Sequence, residues 1–529
     1  MSTPSQTPHD ALGPDVPHLV LLVGNPVHHD ARVRKSALSA ASFGLRVTVV
    51  AYDPSVSVAA GEQREWIGPV QVVNLPVEFS LRDRSNEVRR LRRRVIFPFG
   101  YGTWLAARAA SRRRRVADLE LMADMGRGVR RGDYERRSLV GLLARSRRQF
   151  TKAVNRIRRK VVYARTIIGR FYTGRRLPLD KRRAELWFAH RPMRNWRRLL
   201  PEYLDLGIAF GPVIDGLQPD LIHANDVNMM GIASDAVDRA RLARRTVPWL
   251  YDAHEYVPGM SRYFPDRLAG MSDHESEYIH KADAVLTVSE PIADAIQRRT
   301  GLALRPTVVL NTASAKRVVS STSSVRDAAG LADETPLLVY SGNIDPDRGV
   351  TTLVESLGHL DPDTHVVIVT NAPMDNRYVQ TLIGVAEDCA AADRLHFVPY
   401  VPGDEIIDYL SSATVGVHGL THVLNAEMAL PNKLFDYMHA RLPMIVSDVK
   451  AMAQFVTELG IGEVYVAGDP VSLAAAAKLV VADRGRYVKA LDADPDILRR
   501  YSWERQEIAL RELYGRLLGR ELNAPADTQ

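Results

Sequence analysis

The amino-acid sequence predicts an α/β protein of two Rossmann-like, doubly wound domains, with a basic and helical insertion in the first. Buried strands alternate with amphipathic helices before residue 80 and again after residue 200. This alternation is typical of parallel sheets covered on both faces. It starts afresh after a Ser/Thr/Val-rich linker at residues 314–324. A chain of 529 residues is also too long for a single hydrophobic core.

The first domain is predicted from residues 17–80 and 201–313. Continuous apolar runs indicate buried strands, and 3.6-residue periodicity indicates helices. Strands are expected at 18–23, 46–52, 70–75, 220–223, 248–252 and 284–288, and helices at 31–43, 200–217 and 229–244.

The second domain is predicted from residues 325–500. Two such domains in tandem turn the C-terminal ends of their strands toward a shared cleft, where ligands bind. Strands are expected at 337–340, 365–370, 395–398, 415–418 and 444–446, and helices at 349–357, 406–411 and from 431 onward. A disordered tail is expected at 1–16, and a C-terminal helix and tail at 501–529.

Composition indicates the compartment. The single cysteine, Cys389, excludes an internal disulfide framework and fits a reducing environment. The polar N-terminus has neither the basic start nor the apolar run of a signal peptide. No run of 18 apolar residues predicts a transmembrane helix. We therefore expect a cytoplasmic protein.

Residues 81–200 form an Arg-rich insertion. They hold 36 Lys and Arg against 9 Asp and Glu, whereas the whole chain has a net charge of only +8. Tryptophan and phenylalanine lie among the arginines at 95–110 and 184–200, as in helices at a membrane interface. We expect the insertion to bind an anionic membrane surface at the inner face of the cell membrane. Self-association or a protein partner is the alternative, and nucleic acid is not expected because no DNA- or RNA-binding motif accompanies the charge.

The segment at residues 425–447 predicts a phosphate-binding element. A helix begins at Asn432, and the three-residue spacing puts Lys433 and Asp436 on one of its faces. A helix N-terminus attracts anions, so an added lysine favours a diphosphate, and a carboxylate one turn deeper can accept hydrogen bonds from a ribose diol. We interpret the element as a nucleotide-sugar pocket. The alternative is an amphipathic helix with an incidental ion pair.

The loop at residues 341–349 is the second candidate. Small residues such as Gly342 and Asn343 let the backbone approach a phosphate, and Arg348 supplies a cation. The alternative is a plain strand-to-helix turn.

Polar residues follow the strands of the first domain at the predicted cleft edge. His254 and Glu255 follow one strand directly. No His, Cys or Asp cluster has the spacing of a metal site. The residues expected on the acceptor side are Asp30, Arg32, Asn225 and Asp226.

Four motifs together resemble the GT-B glycosyltransferases, in particular the retaining family four that uses nucleotide-sugar donors. They are PVHHDARVRK (26–35), YDAHEY (251–256), SGNIDPDRGVTTLVESL (341–357) and AEMALPNKLFDYMHARLPMIVSD (426–448). The resemblance covers most of residues 17–520 apart from the insertion.

The resemblance implies roles for several of these residues. Arg348 and Lys433 would bind the diphosphate, and Asp436 the ribose. Asn343 stands where relatives often carry a basic residue. Glu427, one position further from Asp436 than is usual, would contact the donor sugar or be an ordinary loop carboxylate.

In the first domain the resemblance places His254 beside the donor sugar and acceptor, while Glu255 is the alternative active carboxylate. Asn311 resembles the asparagine on the hinge side. Arg441 stands where relatives often have glycine, so a left-handed backbone there costs about 1 kcal/mol.

The resemblance implies an enzyme that transfers a sugar with retention from a nucleotide diphosphate-sugar, with no further cofactor required. The basic insertion suggests a glycan or lipid-linked acceptor of the cell envelope. The alternatives are a nucleotide-sugar 2-epimerase on the same fold and a non-catalytic scaffold that binds partners through its insertion.

Overall fold

The computed structural model describes residues 8–9, 12–13, 15–86, 196–260, 265–315 and 323–524. The chain divides into two compact units, residues 1–78 with 203–529 and residues 79–202. The first unit contains two largely parallel sheets with helices packed against them, which confirms the predicted fold class. Most of the predicted insertion (81–200), N-terminal tail (1–16) and linker (314–324) lies outside the described residues.

The first domain is built on an eight-stranded sheet. Its strands are β1 (His18–Val23), β2 (Arg46–Tyr52), β3 (Gln63–Ile67), β4 (Val70–Leu75), β5 (Leu221–Asn225), β6 (Trp249–Ala253), β7 (Ala284–Thr287) and β8 (Thr307–Val308). Their order across the sheet is β3-β4-β2-β1-β5-β6-β7-β8, and only the β3–β4 pair is antiparallel. The bounds of β1, β2 and β4 are those predicted. β3 is not predicted because its half-exposed residues, QREWI, do not form a continuous apolar run.

The helices of this part of the chain flank the sheet or lead into it. They are α1 (Ala31–Ser42), α2 (Trp196–Leu199), α3 (Pro201–Leu217), α4 (Met230–Leu242), α5 (Pro265–Tyr278) and α6 (Glu290–Thr300). Of these, α2 belongs to the second unit and α3 spans the boundary between the units.

The second domain is built on a six-stranded parallel sheet. Its strands are β9 (Leu337–Ser341), β10 (His365–Val369), β11 (Leu395–Val398), β12 (Val415–His418), β13 (Met444–Ser447) and β14 (Gly462–Tyr465), in the order β11-β10-β9-β12-β13-β14. Its helices are α7 (Val325–Ala329), α8 (Val350–Glu355), α9 (Arg377–Asp388), α10 (Ile406–Leu410), α11 (Asn432–His439), α12 (Lys450–Leu459), α13 (Pro470–Ala482), α14 (Arg484–Ala493) and α15 (Ile497–Arg500).

The last helix, α16 (Trp503–Leu518), returns to the first domain. Trp503 and Tyr514 are buried in one hydrophobic cluster with Leu19 of β1 and Val33 of α1. The C-terminal helix therefore completes the core of the first domain.

A buried tyrosine positions the predicted phosphate-binding helix. Tyr437 is fully buried and lies against Gly416 of β12, where an added Cβ would come within 2.5 Å of the ring. Its hydroxyl accepts a hydrogen bond from the Ser341 backbone N–H at 3.1 Å. The contact holds the N-terminus of α11 near the loop that follows β9.

Arg441 follows α11 in the left-handed conformation, with φ of 54°. The strained position named by the sequence analysis is therefore present. Its guanidinium forms an ion pair with Asp492 at the surface.

None of the helices in the described ranges combines the length and the apolar character that a membrane span requires.

Candidate functional site

Residues that follow strand C-termini in both sheets line one cleft of about 340 Å³. Asp30, Arg32, His254, Glu255 and Asn311 come from the first domain, and Arg348, Asn425 and Asn432 from the second. A cavity of about 380 Å³ beside edge strand β11 has a mostly apolar lining and a single titratable residue, His396. Of these two cavities, the cleft is the one in which polar groups of both domains converge. We therefore take the cleft as the candidate site.

His254 lies between two carboxylates at the end of β6. Its Nδ1 is 3.4 Å from Asp226 Oδ1, and its Nε2 is 3.5 Å from Asp252 Oδ2. Burial alone would lower the pKa of the imidazole, but the two carboxylates raise it to about 9. At neutral pH His254 is therefore a cation held between two carboxylates.

Asp226 combines an unusual backbone with an unusual charge state. Its φ of 65° and ψ of 160° fall in a region that is essentially reserved for glycine. Burial raises the pKa of its carboxyl to about 6, the charge of His254 opposes the rise, and the charges of Asp30 and Glu255 add to it. About a third of the side chain remains exposed. Strain and a perturbed pKa at one cleft residue are features of functional sites.

Arg32 lies at the cleft wall, but its guanidinium is already bonded within the first domain. Nε and Nη2 donate to Asp252 at 2.8 and 2.9 Å, and Nη1 donates to the Val309 carbonyl at 2.7 Å. Both partners are almost completely buried. The structure thus differs from the expectation that Arg32 faces an acceptor, because the guanidinium holds Asp252 in place.

Asn225 is also placed differently from the prediction. β5 runs two residues beyond its predicted end, so Asn225 lies within the sheet opposite Asp252 and is fully buried. Its Nδ2 donates to the Leu22 carbonyl at 3.1 Å. A side chain in this position cannot reach an acceptor in the cleft.

Asp30 and Glu255 do line the cleft. Asp30 is the N-cap of α1, because its carboxylate accepts a hydrogen bond from the Val33 N–H at 3.1 Å. These two carboxylates lie on the first-domain wall with Arg32 and His254, and Asp226 lies beside His254.

Lys433 and Asp436 form an ion pair of 3.3 Å on the face of α11, and both are nearly buried. The lysine also donates to the Tyr400 hydroxyl at 2.6 Å. Burial would lower the pKa of Lys433, but Asp436 and Tyr400 raise it, so the ammonium stays charged. The ion pair named as the alternative interpretation is therefore present, and whether the lysine also binds an anion remains a functional prediction.

The loop after β9 leaves room for this lysine. Gly342 has φ of 135°, and an added Cβ would lie 3.3 Å from Lys433 Cε, so only glycine fits without strain. Asn343 is exposed, and its carbonyl accepts a hydrogen bond from the Tyr340 hydroxyl at 2.7 Å.

The charges of Arg348 and Lys433 both influence the pKa of two aromatic side chains, His418 and Tyr340. Burial, together with the charges of Arg348 and Lys433, lowers the pKa of His418 to about 3. Burial raises the pKa of Tyr340 to about 12, while the same two cations oppose the rise. The charges of the arginine and the lysine are therefore both felt by Tyr340 and His418, and of the two cations Arg348 lines the cleft.

Glu427 is bonded outside the cleft lining. Its carboxylate is 2.6 Å from His422 Nδ1 and accepts a hydrogen bond from the Lys450 N–H at 2.9 Å. The hydrogen bond to Glu427 raises the pKa of His422, whose Nε2 is 2.9 Å from Asp448. In this structure Glu427 ties its loop to the start of α12.

Sequence reasoning assigned no role to three residues beside the cleft. Tyr400 contacts Lys433, and Asp252 holds both Arg32 and His254. Lys35 donates to Asn311 Oδ1 at 2.9 Å and to the Thr312 carbonyl, and burial lowers its pKa to about 8. Asp252 and Lys35 lie within two of the motifs, but only tertiary contacts reveal their partners.

Two family models match the chain in succession. Glycosyltransferase Family 4 matches residues 166–314, and Glycosyl transferases group 1 matches residues 322–493. A D-inositol 3-phosphate glycosyltransferase of Xylanimonas cellulosilytica is 23% identical over 198 residues, which cover 36% of this chain. The match spans less than half, 45%, of that relative's length.

Solved structures with the same fold cover nearly the whole chain. Sucrose-phosphate synthase from Thermosynechococcus elongatus has a TM-score of 0.56 at 15% identity and covers 95% of this chain and 99% of its own. A structure described as trehalose-6-phosphate from E. coli bound with UDP-2-fluoro glucose has a TM-score of 0.55 at 10% identity, with 96% and 100% covered. At these identities the likeness establishes the fold alone.

The charge on His254 predicts a pH dependence of stability. The folded state raises the pKa of His254 from 6.5 to about 9, so the stabilisation is complete below pH 6.5 and is lost as the pH rises through 9. His254→Gln should remove roughly 2 kcal/mol of the change in the free energy of unfolding between pH 6 and pH 9.5. Denaturant unfolding of the wild type and the variant at the two pH values measures this change in the free energy of unfolding.

A second variant tests whether the carboxylate of Asp226 raises the pKa of His254. Asp226→Asn removes the strongest of the contacts that raise this pKa, so the pH dependence should shrink but not vanish. An unchanged pH dependence in His254→Gln would contradict the assignment.

Proposed function

Because this chain belongs to the GT-B glycosyltransferases, we propose that it transfers a sugar from a nucleotide diphosphate-sugar to a hydroxyl group of a lipid-linked or cell-envelope glycan. One observation carries the proposal. Arg348 of the second domain lines the cleft, Lys433 lies against Gly342 of the same loop, and the opposite wall presents the carboxylates of Asp30 and Glu255. The diphosphate binds to the basic side and the acceptor to the acidic side.

The donor site consists of the loop after β9 and the start of α11. Arg348, Lys433 and the free N–H groups at the start of α11 neutralise the diphosphate, and Asp436 accepts hydrogen bonds from the ribose. Gly342 keeps the space between them open. The E. coli structure of this fold is described with a UDP-sugar analogue, which supports a donor of that class.

Transfer proceeds with retention of configuration. The acceptor oxygen bonds to the anomeric carbon as the bond from that carbon to the phosphate oxygen breaks, and the acceptor proton passes to the departing phosphate. Arg348 and Lys433 stabilise the charge that develops on the phosphate. His254, as a cation, donates a hydrogen bond to a sugar hydroxyl, and Asp226 orients the acceptor.

The acceptor group in the cleft is a neutral sugar. The first-domain wall carries Asp30 and Glu255, with Asp226 beside His254, whereas its cations Arg32 and His254 already face Asp252. Carboxylates accept hydrogen bonds from hydroxyl groups and repel a phosphate. This wall therefore favours a glycan over a phosphorylated monosaccharide.

Replacing Lys433 tests the donor site. Lys433→Met keeps the stem but removes the charge, and we expect donor affinity to fall about 10- to 100-fold. A panel of UDP-, GDP-, ADP- and dTDP-sugars first identifies the donor by thermal stabilisation of the wild type, and calorimetry then compares the variants. Lys478→Met removes an exposed lysine of the same domain and should change nothing.

The outcomes separate the candidate functions. Unchanged affinity in Lys433→Met would remove the diphosphate assignment. An isomerised free sugar nucleotide and no glycoside would indicate an epimerase, and a wild type that binds no sugar nucleotide would indicate a scaffold.

Replacing Asp226 separates stability from activity. Asp226→Gly relieves a backbone conformation that costs about 1–3 kcal/mol and should stabilise the fold, while glycosyl transfer falls about 100-fold or more. Arg244, exposed and also in a left-handed conformation with φ of 61°, provides the control. Arg244→Gly should stabilise without loss of turnover. Full activity in Asp226→Gly would exclude Asp226 from the site.

We also propose that the insertion holds the enzyme at the inner face of the cell membrane. Replacing the arginines at 112–115 by glutamine in the full chain should weaken sedimentation with anionic phospholipid vesicles by at least about 10-fold, because each cation near such a surface contributes about 1 kcal/mol. Zwitterionic vesicles are the control. Equal sedimentation of the variant and the wild type would place the membrane contact elsewhere or exclude it.

A further inference from the structure

His418 is a buried histidine without a partner, beside the two cations. It is the last residue of β12 and only 1% exposed. Neither ring nitrogen has a hydrogen-bond partner among the described residues. Buried polar atoms are nearly always paired, so a histidine with two unpaired nitrogens calls for an explanation.

The surroundings of His418 fix its charge. Its ring stacks parallel to Tyr340 at 5.9 Å between centroids. Burial and the charges of Arg348 and Lys433 hold the pKa of His418 near 3. At neutral pH one ring nitrogen therefore carries a proton, and the other presents a lone pair toward a positively charged environment.

Arg348 also has an unpaired nitrogen, which is a hydrogen-bond donor. Its Nε is buried and has no hydrogen-bond acceptor within the part of the chain that the structure describes, because Asp345 Oδ2 is 3.6 Å away. The two residues are close in the fold because their chain neighbours touch: a Cβ added to Gly349 would lie 3.0 Å from Gly419 Cα. Arg348 Nε lacks an acceptor, and the unprotonated nitrogen of His418 lacks a donor.

We propose that His418 is a positioning residue of the donor site: when the donor's diphosphate binds, the neutral imidazole accepts a hydrogen bond from Arg348, which is not formed in the ligand-free structure, and so orients the guanidinium toward the diphosphate. The inference rests on the proposed function. A carboxylate at this position would pair with Arg348 and Lys433 and cancel the charge that attracts the donor. A neutral acceptor orients the arginine and leaves the charge available.

Three kinds of variant at position 418 distinguish this role from simple packing. His418→Phe keeps the stack on Tyr340 but has no acceptor, so nucleoside diphosphate affinity should fall about 5- to 20-fold. His418→Asn and His418→Gln offer a neutral acceptor near one or the other ring nitrogen, and one of them should restore most of the affinity. His418→Asp should weaken binding more than His418→Phe.

Calorimetry with UDP, GDP, ADP and dTDP, each in turn, measures the effect on the full chain. His365 lies at the opposite, N-terminal end of β10 in the same sheet, so His365→Phe provides the control and should bind as the wild type does. Thermal unfolding of each variant establishes that it is folded. In an Arg348→Ala background, His418→Phe should have no further effect, because the histidine acts through the arginine.

The results that would overturn the proposal are specific. Wild-type affinity in His418→Phe would exclude a role in the donor site. Equal weakening in Phe, Asn and Gln variants would indicate packing of the imidazole, and an undiminished effect without Arg348 would exclude action through it. If the wild type binds none of the four diphosphates, the proposed function itself fails and this inference with it.

Discussion

The buried ion pair between Arg32 and Asp252 organises the first-domain side of the cleft. It joins α1 to β6 and, through the Val309 carbonyl, to the segment that leaves the first domain. Breaking such a pair by removing one partner costs about 3–5 kcal/mol, because the remaining charge stays buried. The same Asp252 carboxylate lies beside His223 and His254, and His223 Nδ1 is 2.7 Å from the Tyr514 hydroxyl of the C-terminal helix. The charge on His254 thus depends on contacts that extend through the whole first domain.

The two walls of the cleft carry different charged groups. Asp30 and Glu255 line the first-domain side with Arg32 and His254, and Asp347 and Arg348 line the second-domain side. Each wall also contains a histidine in the opposite charge state: His254 is held protonated between carboxylates, and His418 is held neutral beside cations. The sequence around each histidine does not reveal this difference, since the charge state depends on neighbours from distant elements.

Elements with strong local signals could be predicted from sequence. Continuous apolar runs define β1, β2 and β4 because strands buried on both faces exclude polar residues. The half-exposed edge strand β3 lacks that signal, and the end of β5 was predicted two residues early because Asn225 is polar yet buried. That error moved Asn225 from the sheet to the cleft in the prediction. Lys433 and Asp436 could be placed on one helix face from spacing alone, but their contact with Tyr400 could not.

The fold class and the positions of the polar residues that follow strands could be read from the sequence, because local periodicity and turn chemistry encode them. Which of those residues face the cleft depends on the tertiary structure. Arg32 and Asn225 turn into the first domain, Glu427 bonds to His422, and His418 comes to lie beside Arg348. These outcomes depend on contacts between residues far apart in the chain, and the free energies of burial and charge pairing that select them have no local sequence signature.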